Sequence, residues 1–109
     1  MDDDYIIVHL LKDILKNNGF SVSISLNGID AIKMIKEMSF DFVLSDIQMP
    51  KINGIEVLKK MKKFNPSLNI IMMTGCATKE IQNEALREGA SCVLSKPIDI
   101  NDLLDILKN

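Results

Sequence analysis

The chain contains little of the side-chain chemistry on which disulfide scaffolds and zinc sites depend. Among its 109 residues there are only two cysteines, Cys76 and Cys92, and one histidine, His9. The cysteines lie sixteen residues apart, so they form no CxxC motif, and a single histidine does not complete a structural zinc site with them. These counts exclude a disulfide-dependent fold and predict a reducing, cytoplasmic compartment in which both thiols stay free.

The chain also has few aromatic residues and no large excess of either charge. There is no tryptophan and one tyrosine, and the formal net charge is −2, from 13 basic and 15 acidic residues. This balance provides no basic surface for nucleic acid or for a membrane. No uncharged apolar run approaches a membrane span, and the acidic start, Met1 to Asp4, has the wrong sign for a signal peptide. We therefore expect one globular domain over residues 1–109.

The chain does have a regular alternation of helix-like and strand-like segments, which is typical of an α/β fold with a parallel sheet. Apolar residues recur at helical spacing in five segments, and short apolar or alternating runs lie between them. The predicted helices cover about residues 7–18, 31–38, 55–64, 79–88 and 100–108, and the predicted strands cover Phe20–Leu26, Phe42–Leu44, Ile70–Met73 and Cys92–Leu94. Gly19 and Gly89 are expected to end two helices, and Asp99 to cap the last.

Polar residues follow three of the predicted strands: Asp46, Thr74 and Lys96. In an open parallel sheet, ligands bind at the carboxyl ends of the strands, so these side chains are expected to converge. Asp2 and Asp3, directly before the first helix, would add two carboxylates. Clustered carboxylates repel one another unless a cation joins them, and Mg²⁺ prefers such oxygen ligands. With a lysine, a hydroxyl and an aspartate nucleophile, the set is suited to phosphoryl transfer.

Short motifs surround these residues in a defined order along the chain. They are Asp2-Asp3, Ser45-Asp46-Ile47-Gln48-Met49-Pro50, Asn53-Gly54, Met73-Thr74-Gly75, Gly89-Ala90 and Ser95-Lys96-Pro97. Asp46 follows Asp3 by 43 residues, Thr74 follows after 28 more, and Lys96 after another 22. In these motifs and spacings, essentially the whole chain resembles the receiver domain of bacterial two-component response regulators, the CheY-like family.

The resemblance implies a fold and a role for each matched residue. The implied fold is flavodoxin-like and doubly wound, with five parallel strands in the order 2-1-3-4-5 and helices on both faces. Asp46 would accept a phosphoryl group, Thr74 and Lys96 would contact that group, and Pro97 would follow a cis peptide bond. Mg²⁺ or another divalent cation would be held by Asp2, Asp3, Asp46 and the backbone carbonyl of Gln48.

The resemblance also implies partners. A histidine kinase or a histidine phosphotransfer protein would donate the phosphoryl group, and a downstream protein or an output domain would respond to it. A homodimer is a further expectation, whereas neither nucleic acid nor a membrane is expected as a direct partner. Such a domain promotes its own phosphorylation and dephosphorylation and is a phosphoacceptor rather than a turnover enzyme.

Two positions depart from the family pattern. The family has a short aliphatic strand before the acidic pair, where this sequence has only Met1, so most of that strand is absent from the 109 residues. Three interpretations stay open: the strand precedes this sequence in a longer chain, a partner chain supplies or pairs with the edge, or the β-prone Tyr5–Val8 is the strand. The second departure is Val93, where the family often has an aromatic switch residue.

Other functions remain as alternatives. In one, the fold is kept but the acidic pocket is incomplete, and the domain is a non-phosphorylated interaction module. A haloacid-dehalogenase-type phosphatase would need an aspartate two residues after Asp46, where this chain has Gln48. A flavodoxin would need a phosphate-binding loop and aromatic residues for the flavin ring, and the chain is poor in aromatics.

Overall fold

The computed structural model describes residues 5–23, 25, 28–49, 52–75 and 78–108, and within these residues helices alternate with strands. The helices are α1 (Tyr5–Asn17), α2 (Gly28–Glu37), α3 (Gly54–Phe64), α4 (Lys79–Arg87) and α5 (Ile100–Lys108). The strands are β1 (Phe42–Asp46), β2 (Gln48–Met49), β3 (Ile52–Asn53), β4 (Asn69–Thr74) and β5 (Cys92–Ser95). The five predicted helices are confirmed. Among the described residues, no helix has the length and hydropathy needed to cross a membrane.

The predicted helix ends have the expected local geometry. Gly19 and Gly89 follow α1 and α4 with φ angles of +90° and +108°, a conformation that costs glycine less than any other residue. At the start of α5, the side chain of Asp99 accepts hydrogen bonds from the backbone N–H groups of Asn101 and Asp102, at 2.9 and 3.3 Å. The helices α1, α4 and α5 therefore begin or end where the sequence provides a residue suited to that position.

The main sheet of the described residues has three parallel strands in the order β1-β4-β5. In its register, Asp46 lies opposite Met73, and Thr74 lies opposite Ser95. Parallel neighbours joined by helical crossovers end at the same edge of the sheet, so this register brings the three polar strand ends to one edge.

Two hydrophobic clusters cover the opposite faces of this sheet. One packs α2, α3 and α4 against Ile70 and Met72, and the other packs α1 and α5 against Ile71 and Met73. Successive side chains of a strand point to opposite faces, which explains why neighbours along β4 belong to different clusters. The helices on both faces confirm the doubly wound α/β fold, and the continuous apolar run of β4 is the pattern of a strand buried on both sides.

The predicted strand Phe20–Leu26 is not observed. Residues 20–23 and 25 are not assigned to any strand, and Ile24 and Leu26 lie outside the described residues. In the predicted order 2-1-3-4-5, this segment pairs with the first strand, and the parallel sheet of the described residues consists of the strands that correspond to 3, 4 and 5. Alternating side chains favour an extended backbone, but a strand needs a hydrogen-bonded neighbour, which side-chain alternation alone does not provide.

A second small sheet lies between β1 and α3, where the sequence predicts neither a helix nor a strand. The two-residue strands β2 and β3 pair in antiparallel fashion, with Gln48 opposite Asn53 and Met49 opposite Ile52. The pair follows β1 directly and leads into α3. It therefore folds the chain back immediately beyond Asp46.

Candidate functional site

The end of the sheet brings together Asp46, Thr74 and Lys96, as the sequence predicts. Asp46 is the last residue of β1, Thr74 is the last residue of β4, and Lys96 directly follows β5. The backbone N–H of Lys96 donates to the carbonyl oxygen of Thr74 at 2.8 Å. The N–H of Ile47 donates to the carbonyl of Met73 at the same distance, so backbone hydrogen bonds connect all three strand ends.

An ion pair between the buried Asp46 carboxylate and the partly buried Lys96 ammonium lies at this edge. Lys96 Nζ donates to Asp46 Oδ2 at 2.7 Å, and the two side chains are 21% and 6% exposed. A charge-assisted hydrogen bond of this length compensates part of the cost of removing both charges from water. The pair joins residues 50 positions apart and so ties the end of β1 to the loop after β5.

The backbone around Lys96 also agrees with the resemblance. The Lys96–Pro97 peptide bond is cis. Thr74 is fully buried at the end of the central strand, between the positions of Asp46 and Lys96 in the strand order. Among the described residues, no buried side-chain nitrogen or oxygen lacks a hydrogen-bond partner. The described part of the site is therefore a satisfied polar cluster at the end of an apolar sheet.

Gly54 is a residue of this site to which the sequence reasoning assigned no role. Its N–H donates to the carbonyl of Ile47 at 2.8 Å, and it begins α3. A Cβ atom at this position would collide with the carbonyl oxygens of Asp46 and Ile47. The preceding residue, Asn53, caps the helix by accepting a hydrogen bond from the N–H of Ile55 at 2.9 Å. The Asn53-Gly54 motif is thus a close contact between α3 and the end of β1.

The metal ligands implied by the resemblance are only partly described. Asp2 and Asp3 lie outside the described residues, as does Pro50, whereas the Asp46 carboxylate and the Gln48 backbone are within them. Within residues 5–23, 25, 28–49, 52–75 and 78–108, no group of three His, Cys, Asp or Glu side chains is placed to hold a metal ion. The donors that are described, a carboxylate and a peptide carbonyl, are oxygen atoms of the kind that Mg²⁺ prefers.

Comparisons with known proteins agree with this geometry. The family model "Response regulator receiver domain" matches residues 1–108. "Transcriptional regulatory protein ZraR" of Klebsiella oxytoca is 39% identical over 103 residues, which cover 94% of this chain and 23% of that protein. "Sporulation initiation phosphotransferase F" of Bacillus subtilis is 32% identical over 108 residues, which cover 99% of this chain and 87% of that protein. The chain thus spans about a quarter of the first relative and most of the second.

A solved structure supports the same assignment of fold. It is the crystal structure of the CheX-CheY-BeF3-Mg+2 complex from Borrelia burgdorferi, and its similar chain is 28% identical. The TM-score is 0.91, and the match covers 97% of this chain and 81% of that chain. A score this high over nearly the whole chain means that the described helices and strands have the same arrangement in both proteins.

Proposed function

The chain belongs to the response regulator receiver domain family and is a phosphoacceptor domain of two-component signalling, and we propose that Asp46 is the residue that accepts the phosphoryl group. The observation that carries this proposal is the 2.7 Å contact between the Asp46 carboxylate and Lys96 Nζ at the carboxyl edge of the sheet. A nucleophilic oxygen is there held beside a cation, and phosphoryl transfer depends mainly on alignment and on neutralisation of charge.

In the proposed reaction, a carboxylate oxygen of Asp46 attacks the phosphorus of a phosphohistidine on the donor protein. An O–P bond forms as the P–N bond breaks, and the released imidazole takes up a proton. Lys96 would then contact a phosphoryl oxygen, and the Thr74 hydroxyl would donate a hydrogen bond to another. Attack of water on the same phosphorus would release inorganic phosphate and regenerate the Asp46 carboxylate.

We propose that Mg²⁺ or another divalent cation is held beside Asp46 by Asp2, Asp3 and the backbone carbonyl of Gln48. When bound, the ion would neutralise the carboxylates and the phosphoryl oxygens together. The name of the Borrelia burgdorferi complex includes Mg²⁺ and BeF3, which supports a divalent ion in this family. Within this chain, Asp46 would serve both as nucleophile and as ligand.

The proposed partners are a histidine kinase or a histidine phosphotransfer protein as donor and a downstream protein or output domain as target. The 23% coverage of the first relative is compatible with an output domain beyond the receiver domain, and the 87% coverage of the second with a receiver that acts alone. A homodimer is a further part of the proposal. A cytoplasmic location is supported by Cys92, which is a free thiol.

Phosphorylation of Asp46 can be tested by intact mass spectrometry after incubation with Mg²⁺ and acetyl phosphate. We expect the mass of one phosphoryl group to be added to the protein and to be absent when EDTA removes the metal. Asp46→Asn should abolish the adduct, whereas Asp105→Asn, at an exposed position on α5, should leave it unchanged. A folded protein without the adduct, or an adduct that persists in Asp46→Asn, would contradict the assignment.

A further inference from the structure

The helix α3 has the largest excess of positive charge among the five described helices. It contains four of the 13 basic residues of the chain and one acidic residue, Glu56. The basic residues are Lys59, Lys60, Lys62 and Lys63. The net charge of −2 does not show this uneven distribution, and a local excess of one charge favours contact with a partner of the opposite charge.

Two of these four lysines have partners within the domain. Lys59 forms an ion pair with Glu56 at 3.3 Å. Lys62 donates to the backbone carbonyls of Pro66 and Leu68, at 2.7 and 3.0 Å, and so connects the end of α3 to the loop before β4. These contacts give both side chains a role inside the folded chain.

The other two lysines of α3, Lys60 and Lys63, are exposed and form no ion pair within the described residues. On the neighbouring helix α2, Lys36 is also exposed and forms no ion pair there. The ammonium group of Lys36 lies 5.9 Å from the centre of the Phe64 ring, at the end of α3. This contact places the last turn of α2 beside the last turn of α3, so the three lysines border one surface.

Phe64 adds an aromatic ring to this surface. Its side chain is 51% exposed, whereas the other three phenylalanines of the chain are half-buried. Lys60 precedes it by four residues, so the two side chains are neighbours on α3. Helix dipoles favour lysines near the ends of α2 and α3 but provide no reason for an exposed ring there, and aromatic residues are enriched in protein interfaces. We call Lys36, Lys60, Lys63 and Phe64 the basic aromatic surface.

We propose that the basic aromatic surface binds an acidic segment of a partner protein that has an aliphatic residue among its carboxylates. The carboxylates would pair with Lys36, Lys60 and Lys63, and the aliphatic side chain would pack on the exposed part of the Phe64 ring. The surface contains lysine but no arginine, which disfavours bidentate recognition of nucleic-acid phosphates. A membrane would need a continuous apolar face, and the apolar face of α3 is buried in the core.

The proposal can be tested with a fluorescein-labelled peptide of about six glutamates that flank two leucines, a length and composition chosen to reach three lysines and one ring. We expect the fluorescence anisotropy of the peptide to rise on binding, and the affinity to be lower at about 200 mM than at about 20 mM NaCl, because salt screens exposed charges. One control peptide has glutamine in place of glutamate and should not bind. A second has glycine in place of leucine and should bind about fivefold more weakly, since it lacks the contact with Phe64.

Charge-reversal variants locate the binding site. Lys60→Glu/Lys63→Glu should weaken binding of the glutamate peptide about tenfold. Lys16→Glu/Lys108→Glu makes the same change in net charge at exposed positions on α1 and α5, in the opposite layer of helices, and should leave most of the affinity. The peptide is added without acetyl phosphate, and Lys60→Glu/Lys63→Glu should still form the phosphoryl adduct. Failure of this proposal is therefore distinguishable from failure of the role of Asp46.

The aromatic ring is tested separately. Phe64→Ala should weaken binding of the glutamate peptide about fivefold and should remove the difference between the leucine and glycine peptides. Leu86→Ala, on α4, replaces a side chain of similar exposure, 48%, and should change neither measurement. Circular dichroism of each variant checks that the helices are retained.

Three outcomes would overturn the proposal. The first is no rise in anisotropy with the glutamate peptide, and the second is equal weakening by the two double variants, which would mean that only net charge matters. The third is a surface that serves another partner. In that case Lys60→Glu/Lys63→Glu would abolish either tighter binding to vesicles of phosphatidylserine and phosphatidylcholine, tighter binding to a single-stranded DNA oligonucleotide, or self-association in sedimentation. Binding of the glutamate peptide that is lost in Lys60→Glu/Lys63→Glu and weakened in Phe64→Ala would support it.

Discussion

Gly54 lies against the backbone carbonyl of Asp46 so closely that no side chain fits between α3 and the end of β1. We therefore expect Gly54→Ala to shift the end of β1 and to lower the free energy of unfolding by about 1–3 kcal/mol, as overpacked sites do. The rate of phosphorylation by acetyl phosphate should fall with it. Urea denaturation and intact mass spectrometry measure the two effects.

Gly75→Ala is the matched control for this prediction. Gly75 follows β4 at the same edge of the sheet, and a Cβ atom there would meet nothing within 4 Å. The substitution should change stability by less than about 0.5 kcal/mol, the usual range for surface positions. Equal destabilisation by both substitutions would show that loss of glycine, rather than the contact with Asp46, is responsible.

Replacing one member of the Asp46–Lys96 pair should lower the free energy of unfolding more than replacing both members. Lys96→Met leaves the buried Asp46 carboxylate without its ammonium partner, and we expect a loss of about 2 kcal/mol. The double variant Asp46→Asn/Lys96→Met should recover most of this loss, because neither charge remains buried. A thermodynamic cycle from urea denaturation of the four proteins provides the coupling energy, and strictly additive effects would contradict the prediction.

Another prediction concerns the hydrophobic core. Leu58 of α3 is fully buried in the cluster that packs α2, α3 and α4 against the sheet. Leu58→Ala should lower the free energy of unfolding by about 2–5 kcal/mol through lost burial and a residual cavity. Leu86→Ala on α4, where the side chain is 48% exposed, should cost much less. Urea denaturation of both variants tests the difference, and similar losses would mean that α3 does not pack as described.

The thiol of Cys92 should react slowly with alkylating reagents. Burial disfavours the thiolate and raises the pKa of Cys92 above its ordinary value. In a Cys76→Ser background, alkylation by iodoacetamide at pH 8 should be slower in the native protein than in urea. Equal rates would contradict the prediction.

The same pKa shift predicts a dependence of stability on pH. The folded state binds the Cys92 proton more tightly than the unfolded state does. Its contribution to stability is therefore complete below the pKa of the unfolded thiol and is lost as pH rises through the pKa of the folded one. Cys92→Val should remove this part of the pH dependence, which urea denaturation at a series of alkaline pH values can measure.

Much of the fold was predictable because its signals are local. The five helices have apolar residues at helical spacing, and Gly19, Gly89 and Asp99 lie where helix ends require them. The three polar strand ends were predictable because the carboxyl ends of parallel strands meet at one edge, and the 2.7 Å contact between Asp46 and Lys96 is the outcome.

The features that the sequence did not predict depend on the pairing of strands and on close contacts between backbone segments. The strands β2 and β3 have two residues each, too few for any periodicity. The alternation in Phe20–Leu26 indicates which side chains would share a face but says nothing about a neighbouring strand, and residues 20–23 and 25 lie in no strand. The role of Gly54 follows from its contact with Asp46, which only the three-dimensional structure reveals, although a glycine directly after Asn53 in a loop was a usable signal.

The strand β4 presents the same types of side chain to both faces of the sheet. Ile70 and Met72 face one cluster, and Ile71 and Met73 face the other, so a slip by one residue would again place one isoleucine and one methionine on each face. Hydrophobic burial of these four residues therefore does not distinguish the two alignments. The polar end of the strand distinguishes them, because Thr74 lies beside Asp46 and Lys96 in only one of the two. Thr74, which is proposed to contact the phosphoryl group, would then also fix the register of the central strand.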